Sequence, residues 1–332
     1  MSERGPLTVS ILDLATVGGG DTVGESLAGC VALARRAEEL GFHRVWYAEH
    51  HSIRAIASSA TAVLIAHVAA HTSRIRLGAG GIMLPNHSPL VIAEQFGTLA
   101  SLHPGRIDLG LGRAPGSDQR TMQALRRNPA DAEHFPQDVL ELQAFLGDET
   151  PIPGVHAIPG EGTHVPLYIL GSSLFGAQLA ALLGLPYGFA SHFAPRALEP
   201  AVRIYRERFA PSKQLDRPYV IAGVNVVIAE DDAAAQQQLA RTRRSRVRAI
   251  FGGRDRRLTD DEVTAVLESP QAAAVDEMMT YTAVGTPARV ADYLHDFRDR
   301  IDADELIVVL NADTVAGRVY AAELLATAVL GR

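Results

Sequence analysis

The sequence predicts an α/β fold, a (β/α)8 TIM barrel with insertions, built as one domain over residues 1–332. Three observations predict it. Short apolar runs of strand type alternate with longer segments of helical period, the signature of parallel βα units. Eight such runs can be counted, the strand number of a closed barrel. An open doubly wound sheet would want a GxGxxG turn opening an early helix, and "GLGRAPG" at 110–116 lacks that spacing.

The first run, "LTVSILDL" (7–14), precedes a segment of helical period at 26–40, and "RVWYA" (44–48) follows it. "IRLGAGGIM" (75–83) leads to a helix at 89–102, and "RIDLGLG" (106–112) is the fourth strand. The stretch 151–164, "PIPGVHAIPGEGTH", is rich in Pro and Gly and reads as an ordered loop or short hairpin. "PLYILG" (166–171) precedes a helix at 174–183, "YGFAS" (187–191) is the sixth strand, and "YVIAGVNVVIA" (219–229) precedes a helix at 231–241. A helix at 287–300 leads into "ELIVVL" (305–310). Residues 241–284 break the repeat and read as an inserted excursion, with eight arginines between Arg241 and Arg257. That run is either a solvated helix face or an anion-attracting lid over the barrel mouth. A nucleic-acid patch would want interleaved aromatic residues to stack bases, and the run has almost none.

Composition narrows the function. A chain of 332 residues with 47% hydrophobic content can bury a barrel-sized core. Its net charge of -7 opposes nucleic acid and anionic lipid as main partners. The single cysteine, Cys30, excludes an internal disulfide and a Cys-based metal cluster. The N-terminal "MSERGPLTVSILDLA" has no basic segment, apolar core and small-residue cleavage site in succession. No apolar run approaches the roughly 18 residues needed to cross a bilayer. The expectation is a cytoplasmic protein with no membrane partner.

Active sites of such barrels lie at the C-terminal ends of the strands, so the residues following each strand are the candidates. They are Asp13, then Glu49, His50 and His51, then Gly80 and Gly81, then Arg113, then Gly171, Ser172 and Ser173, then Ser191 and His192, then Asn225 and Asn311. In "VWYAEHHS" adjacent residues of an extended chain point to opposite faces, so one of His50 and His51 faces the mouth. A metal site would need three converging ligands, and His50, His87, His103 and His192 form no compact motif such as HExxH. In "GSSLFG" Ser172 or Ser173 can cap a helix whose free N–H groups favour an anion. With Arg113 they make either a phosphate clamp or an ordinary N-cap beside a salt-bridged arginine. "GSSLFG" is not GxSxG, so it carries no serine nucleophile. Gly78, Gly80 and Gly81 in a buried strand point to a bulge, an unusual peptide conformation, or close approach by a flat ligand.

These residues carry a resemblance. In order, "ELGFHRVWYAEHH", "LPNHSPLVIAEQ", "GRIDLGLGR", "PLYILGSSLFGAQLAALLGLPYGFASHFAP", "YTAVGTPARVADYL" and "ELIVVLNAD" resemble the bacterial luciferase-like flavin-dependent monooxygenases, in the single-chain, alkanal monooxygenase-like branch. The resemblance implies reduced FMN at the barrel mouth, delivered by a separate NAD(P)H:flavin reductase. It implies O2 as co-substrate, oxygen transfer to a small apolar or aromatic organic substrate through a flavin C4a-hydroperoxide, and a homodimer. It places the flavin phosphate at Arg113 and Ser173, with Ser172 and the backbone of Gly176 in the same turn. It places a non-prolyl cis peptide at Gly80–Gly81 beneath the ring, and His50 as the catalytic histidine. The substrate is expected over the ring, beneath Phe193 and the arginine-rich segment. Where luciferase has an acidic residue, a threonine and a cysteine, this chain has Ser172, Gly176 and Gly112. The resemblance therefore does not extend to aldehyde specificity or light emission. Barrels of this kind also serve deazaflavin (F420) dependent hydride transfer and flavin binding without catalysis.

Overall fold

The computed structural model describes residues 6–114, 118–252 and 257–331. Strand β1 (Val9–Asp13) is followed by α1 (Val23–Leu40), β2 (Arg44–Tyr47) by α2 (Thr61–Ala69), and β3 (Arg76–Met83) by α3 (Pro89–Leu102). Then come β4 (Ile107–Gly112), α4 (Gln119–Ala124), α5 (Phe135–Phe145), β5 (Leu167–Gly171), α6 (Leu174–Leu183), β6 (Tyr187–Phe189) and α7 (Leu198–Arg208). β7 (Val220–Ile228) leads into α8 (Asp232–Phe251), α9 (Asp260–Leu267) and α10 (Ala272–Met278). β8 (Thr282–Gly285), α11 (Pro287–Ile301), β9 (Glu305–Leu310) and α12 (Val315–Val329) complete the chain.

All named strands pair in parallel, and β6 closes onto β7, so β1 to β7 with β9 form an eight-stranded barrel. The eight runs found in the sequence are these eight strands. β8 is a ninth, paired only to the upper half of β7, from Asn225↔Thr282 to Ile228↔Gly285. At four residues, "TAVG" is too short to show an apolar run of its own. The helix expected at 231–241 continues to Phe251, because arginine is a good helix former and four of its arginines find carboxylates. Arg254 and Arg256 lie outside the described residues. The segment 151–164 is a loop of turns with no strand, containing a cis Ile158–Pro159 bond. No helix among the described residues is long and apolar enough to cross a membrane.

The strand period of two sorts the core into two layers. Ile11, Val45, Leu77, Leu109, Ile169 and Val308 face outward and pack with the helices in one large cluster. Leu12, Trp46, Tyr168, Ile221, Ile307 and Val309 face inward as a separate cluster that fills the barrel. α8, α9 and α10 bury a small core of their own around Val247, Val263 and Val275.

Below the inner cluster, at the N-terminal ends of the strands, lies a closed set of charges. Arg44 Nη1 donates to Asp108 Oδ2 and to Tyr168 Oη, each at 2.8 Å, and its Nη2 donates to Glu305 Oε2 at 3.0 Å. Arg76 donates to the other Asp108 oxygen, Trp46 Nε1 donates to Asp108 at 3.1 Å, and Tyr219 Oη to Glu305 at 2.8 Å. Two guanidinium groups face two carboxylates, and Arg44, Asp108 and Glu305 are all at most 3% exposed. Removing one member of a buried set leaves an uncompensated charge, which costs about 3–5 kcal/mol. Arg44→Met is accordingly expected to lower the unfolding free energy by about 3–5 kcal/mol, read from urea midpoints at unchanged slope. A loss below about 1 kcal/mol, the value of an exposed pair, would show that charge balance does not hold the barrel bottom.

Candidate active site

The inward alternation of β2 continues past its last residue. Trp46 and Ala48 belong to the inner cluster, and His50, two residues on, comes close enough to His192 to act on its charge. Its backbone N–H donates to Ser58 O at 3.0 Å. Glu49 and His51 go the other way. Glu49 is 1% exposed and its carboxylate collects four donors: Met83 N–H at 2.9 Å, His51 Nε2 at 2.7 Å, His87 Nε2 at 2.9 Å and Asn86 Nδ2 at 3.4 Å. An ionised carboxylate only accepts, so both imidazoles carry hydrogen on Nε2. Burial works against the Glu49 charge, but the bonds from His51 and His87 and from Met83 overcome it and hold the carboxyl at about 2. The same bond raises the His51 imidazole. Glu49 thus ties the end of β2 to the end of β3. Among the described residues no group of His, Cys, Asp and Glu could hold a metal ion.

The glycines of β3 have a packing cause. The Gly80–Gly81 peptide is cis, and the register of β3 on β4 shifts between Ala79 and Ile82. A Cβ on Gly80 would lie 2.8 Å from Leu12 Cδ1, and one on Gly81 would lie 2.6 Å from Gly110 O. Their missing side chains are thus required by the protein's own interior, which reaches flush to the backbone at the floor of the mouth. The bulge and the unusual peptide named from sequence occur together.

At the neighbouring strand ends, Ser173 is the N-cap residue of α6, yet its hydroxyl makes no capping bond, and Ser172 beside it is exposed. The first-turn N–H groups, including that of buried Gly176, donate no bond to the cap side chain. Arg113 is exposed, stacks its guanidinium on Phe175 at 4.2 Å from the ring centre, and makes no ion pair among the described residues. Of the two arrangements expected here, the described residues show neither a side-chain cap from Ser173 nor an ion pair at Arg113, which leaves a guanidinium beside the N-terminal turn of α6.

Across the barrel from His50, the sixth strand ends in Ser191 and His192. Ser191 Oγ donates to Gly223 O at 2.6 Å. The His192 ring lies on Gly223, where a Cβ would sit 2.4 Å from Nδ1, and that buried nitrogen has no hydrogen-bond partner among the described residues. Burial first, then Arg246, then His50 press the His192 imidazole down to about 3. Asn225 donates to His192 O at 2.6 Å, while its Oδ1 accepts from Arg246 Nη2 at 3.3 Å and from Asn311 Nδ2 at 3.2 Å. Phe193 is 43% exposed and meets the His192 ring edge-on at 5.0 Å. His50, His192, Asn225 and Asn311 are candidates the sequence placed at strand ends. Arg246 was one undistinguished member of the arginine run, and only its spacing of four from buried Thr242 on α8 could have singled it out.

Comparison with known proteins gives the family. The sequence profile of the luciferase-like monooxygenase family matches residues 7–303. A luciferase-like monooxygenase of Escherichia coli (strain K12) is 46% identical over 304 residues, covering 91% of both chains. The N-acetyl-S-alkylcysteine monooxygenase of Bacillus subtilis (strain 168) is 30% identical over 341 residues, covering 98% of both. The crystal structure of apo-MsnO8 superposes with a TM-score of 0.85 at 35% identity, over 97% of this chain and 98% of that one. The chain belongs to the luciferase-like monooxygenase family, and it is a flavin-dependent monooxygenase by class.

Proposed function

We propose that the chain is the oxygenating component of a two-component monooxygenase, using reduced FMN from a separate NAD(P)H:flavin reductase and O2 to oxygenate a small apolar or aromatic organic substrate. The observation that carries the reading is what gathers at the strand ends: Arg113 beside the N-terminal turn of α6 at β4 and β5, the Gly80–Gly81 cis peptide on β3, and His50 close enough to His192 to act on its charge. The donor set fits a phosphorylated planar cofactor. Arg113, Ser173, Ser172 and the Gly176 N–H would hold the phosphate, as a guanidinium and free helix N–H groups favour a doubly charged anion. Gly80 and Gly81, whose Cβ directions are already filled by Leu12, Trp46, Gly110 and Leu170, would present bare backbone to a flat ring.

Reduced FMN, when bound, supplies the two electrons that split O2, one oxygen atom entering the substrate and the other leaving as water. The protein's own share is to exclude water and move a proton. Leu12, Trp46 and Leu170 close the floor from beneath. His50 stands where a proton can be given or taken at the mouth, the task for which imidazole is suited near pH 7. Glu49, fixed by four donors, holds the chain from which His50 projects. The relative named for N-acetyl-S-alkylcysteine makes small organic sulfur compounds the first substrates to assay.

The test is a titration of the protein with reduced FMN and with reduced F420 without oxygen, followed by O2 and a count of oxygenated product per reduced cofactor. Peroxide alone would support flavin binding without catalysis, and tighter binding of F420 would support hydride transfer. His50→Ala is expected to cut coupled oxygenation by about 10²-fold while FMN affinity holds; undiminished coupling would make His50 structural. Arg113→Ala is expected to weaken FMN binding about 10- to 100-fold, the scale of a lost charge-assisted hydrogen bond. Equal affinity in a fluorescence titration would remove Arg113 from the proposed phosphate site.

Glu49 predicts a pH window. Its folded value near 2 lies below the ordinary 4.5, so its contribution is full above about pH 4.5 and is lost as the pH falls toward 2. The raised His51 contributes fully below 6.5 and loses its share as the pH rises through its folded value. The stability difference between wild type and Glu49→Gln is therefore expected to peak between those limits, measured by urea unfolding across a pH series. A difference independent of pH would show that the carboxylate is not held ionised by its imidazoles.

A further inference from the structure

α8 carries its arginines on different faces, with different fates. Arg241 pairs with Asp313 at 2.7 Å, Arg243 with Asp276 at 2.6 Å, and Arg244 with Asp260 at 3.0 Å, an acid that Arg248 shares. Arg246 makes no ion pair among the described residues. Arg246 is half-buried, and its one hydrogen bond there goes to Asn225 Oδ1, a neutral acceptor already engaged by Asn311. Asn225 faces inward: on β7 Val220, Ala222, Val224 and Val226 belong to the outer layer, while Ile221 belongs to the inner one and His192 stacks on Gly223. Arg246 therefore enters the mouth beside His192. A half-buried guanidinium with only an amide oxygen as acceptor among the described residues lacks a counter-charge, and an anion that binds there supplies one.

The position argues for the substrate as the source of that anion. The proposed phosphate site stands at the ends of β4 and β5, whereas Asn225 lies on β7, with β6 between β5 and β7. We propose that Arg246 recognises a carboxylate on the organic substrate, with Asn225 and Asn311 setting the direction of the guanidinium. This deepens, and rests on, the monooxygenase reading. The substrate class narrows to small molecules with an apolar, oxidisable part and a carboxylate at the end facing α8. The planar fork of arginine matches a carboxylate in two parallel hydrogen bonds, which a lysine ammonium cannot copy.

The experiment is a calorimetric titration of the cofactor-free full chain with N-acetyl-S-benzylcysteine and with its methyl ester, two probes that differ in one negative charge. The acid is expected to bind at least about tenfold more tightly than the ester, the scale of one charge-assisted pair. In Arg246→Met the two are expected to bind equally, and in Arg246→Lys, which keeps the charge should the methionine variant fold poorly, part of the preference remains. FMN affinity is expected to be unchanged in both variants. The proposal is overturned if the ester binds as well as the acid, if the acid does not bind at millimolar concentration, or if Arg246→Met keeps the preference. Loss of FMN affinity in Arg246→Met overturns it differently, by assigning the guanidinium to the cofactor's phosphate. Because binding is read without cofactor or turnover, failure of oxygenation would count against the monooxygenase reading alone.

Discussion

The barrel depends on the charge-balanced plug at its lower end. A barrel of eight strands has an interior that side chains must fill, and apolar residues fill only the middle layer here. Below it, Arg44 reaches across from β2 to Asp108 on β4, Tyr168 on β5 and Glu305 on β9, so one guanidinium ties strands that are not neighbours in the sheet. Such a set is stable only if every charge is answered. Burial and the field of Asp108 push the Tyr168 hydroxyl up to about 12, so it stays neutral and serves as a dipole instead of adding a third negative charge.

The upper end of the same barrel follows the opposite rule. Arg113 has a ring beneath it and no carboxylate among the described residues, and Arg246 has only an amide. The first-turn N–H groups of α6 find no serine oxygen although two serines are at hand. At the bottom positive charge is neutralised within the chain; at the top two guanidinium groups have no carboxylate among the described residues. That difference between two ends of one barrel is what supports the proposed placement of ligands at the upper end, since Arg44 and Arg76 are paired.

Much of this was legible in the sequence, for a physical reason. Strands buried on both faces read as continuous apolar runs, so all eight barrel strands stood out. β8 did not, because four residues paired to one edge need no such run. Alternation put His50 on the inner side with Trp46 and Ala48, and its effect on the charge of His192 agrees with that side. What alternation could not show was that Glu49 would gather His51, His87 and Asn86, since those partners come from the end of β3 and the turn after it. Nor could the arginine run reveal that one guanidinium differs from its neighbours. Identical residue types acquire opposite roles according to which acids the packing of α8, α9 and α10 brings near, and that packing is a tertiary fact.

The two histidines of the mouth divide their work by environment. His192 is closed in on Gly223, and burial, Arg246 and His50 all oppose a proton on it. At neutral pH it is an uncharged imidazole several pH units from its transition, too weak a base to take a proton and with none to give as an acid. In the proposed reaction the moving proton therefore belongs to His50, and His192 acts by shape and dipole, as a wall shared with Phe193. The arrangement also explains why the guanidinium beside His192 is an arginine. Burial that lowers a lysine can discharge it, whereas arginine keeps its charge, so partial burial beside the silenced histidine still leaves Arg246 charged for the proposed carboxylate.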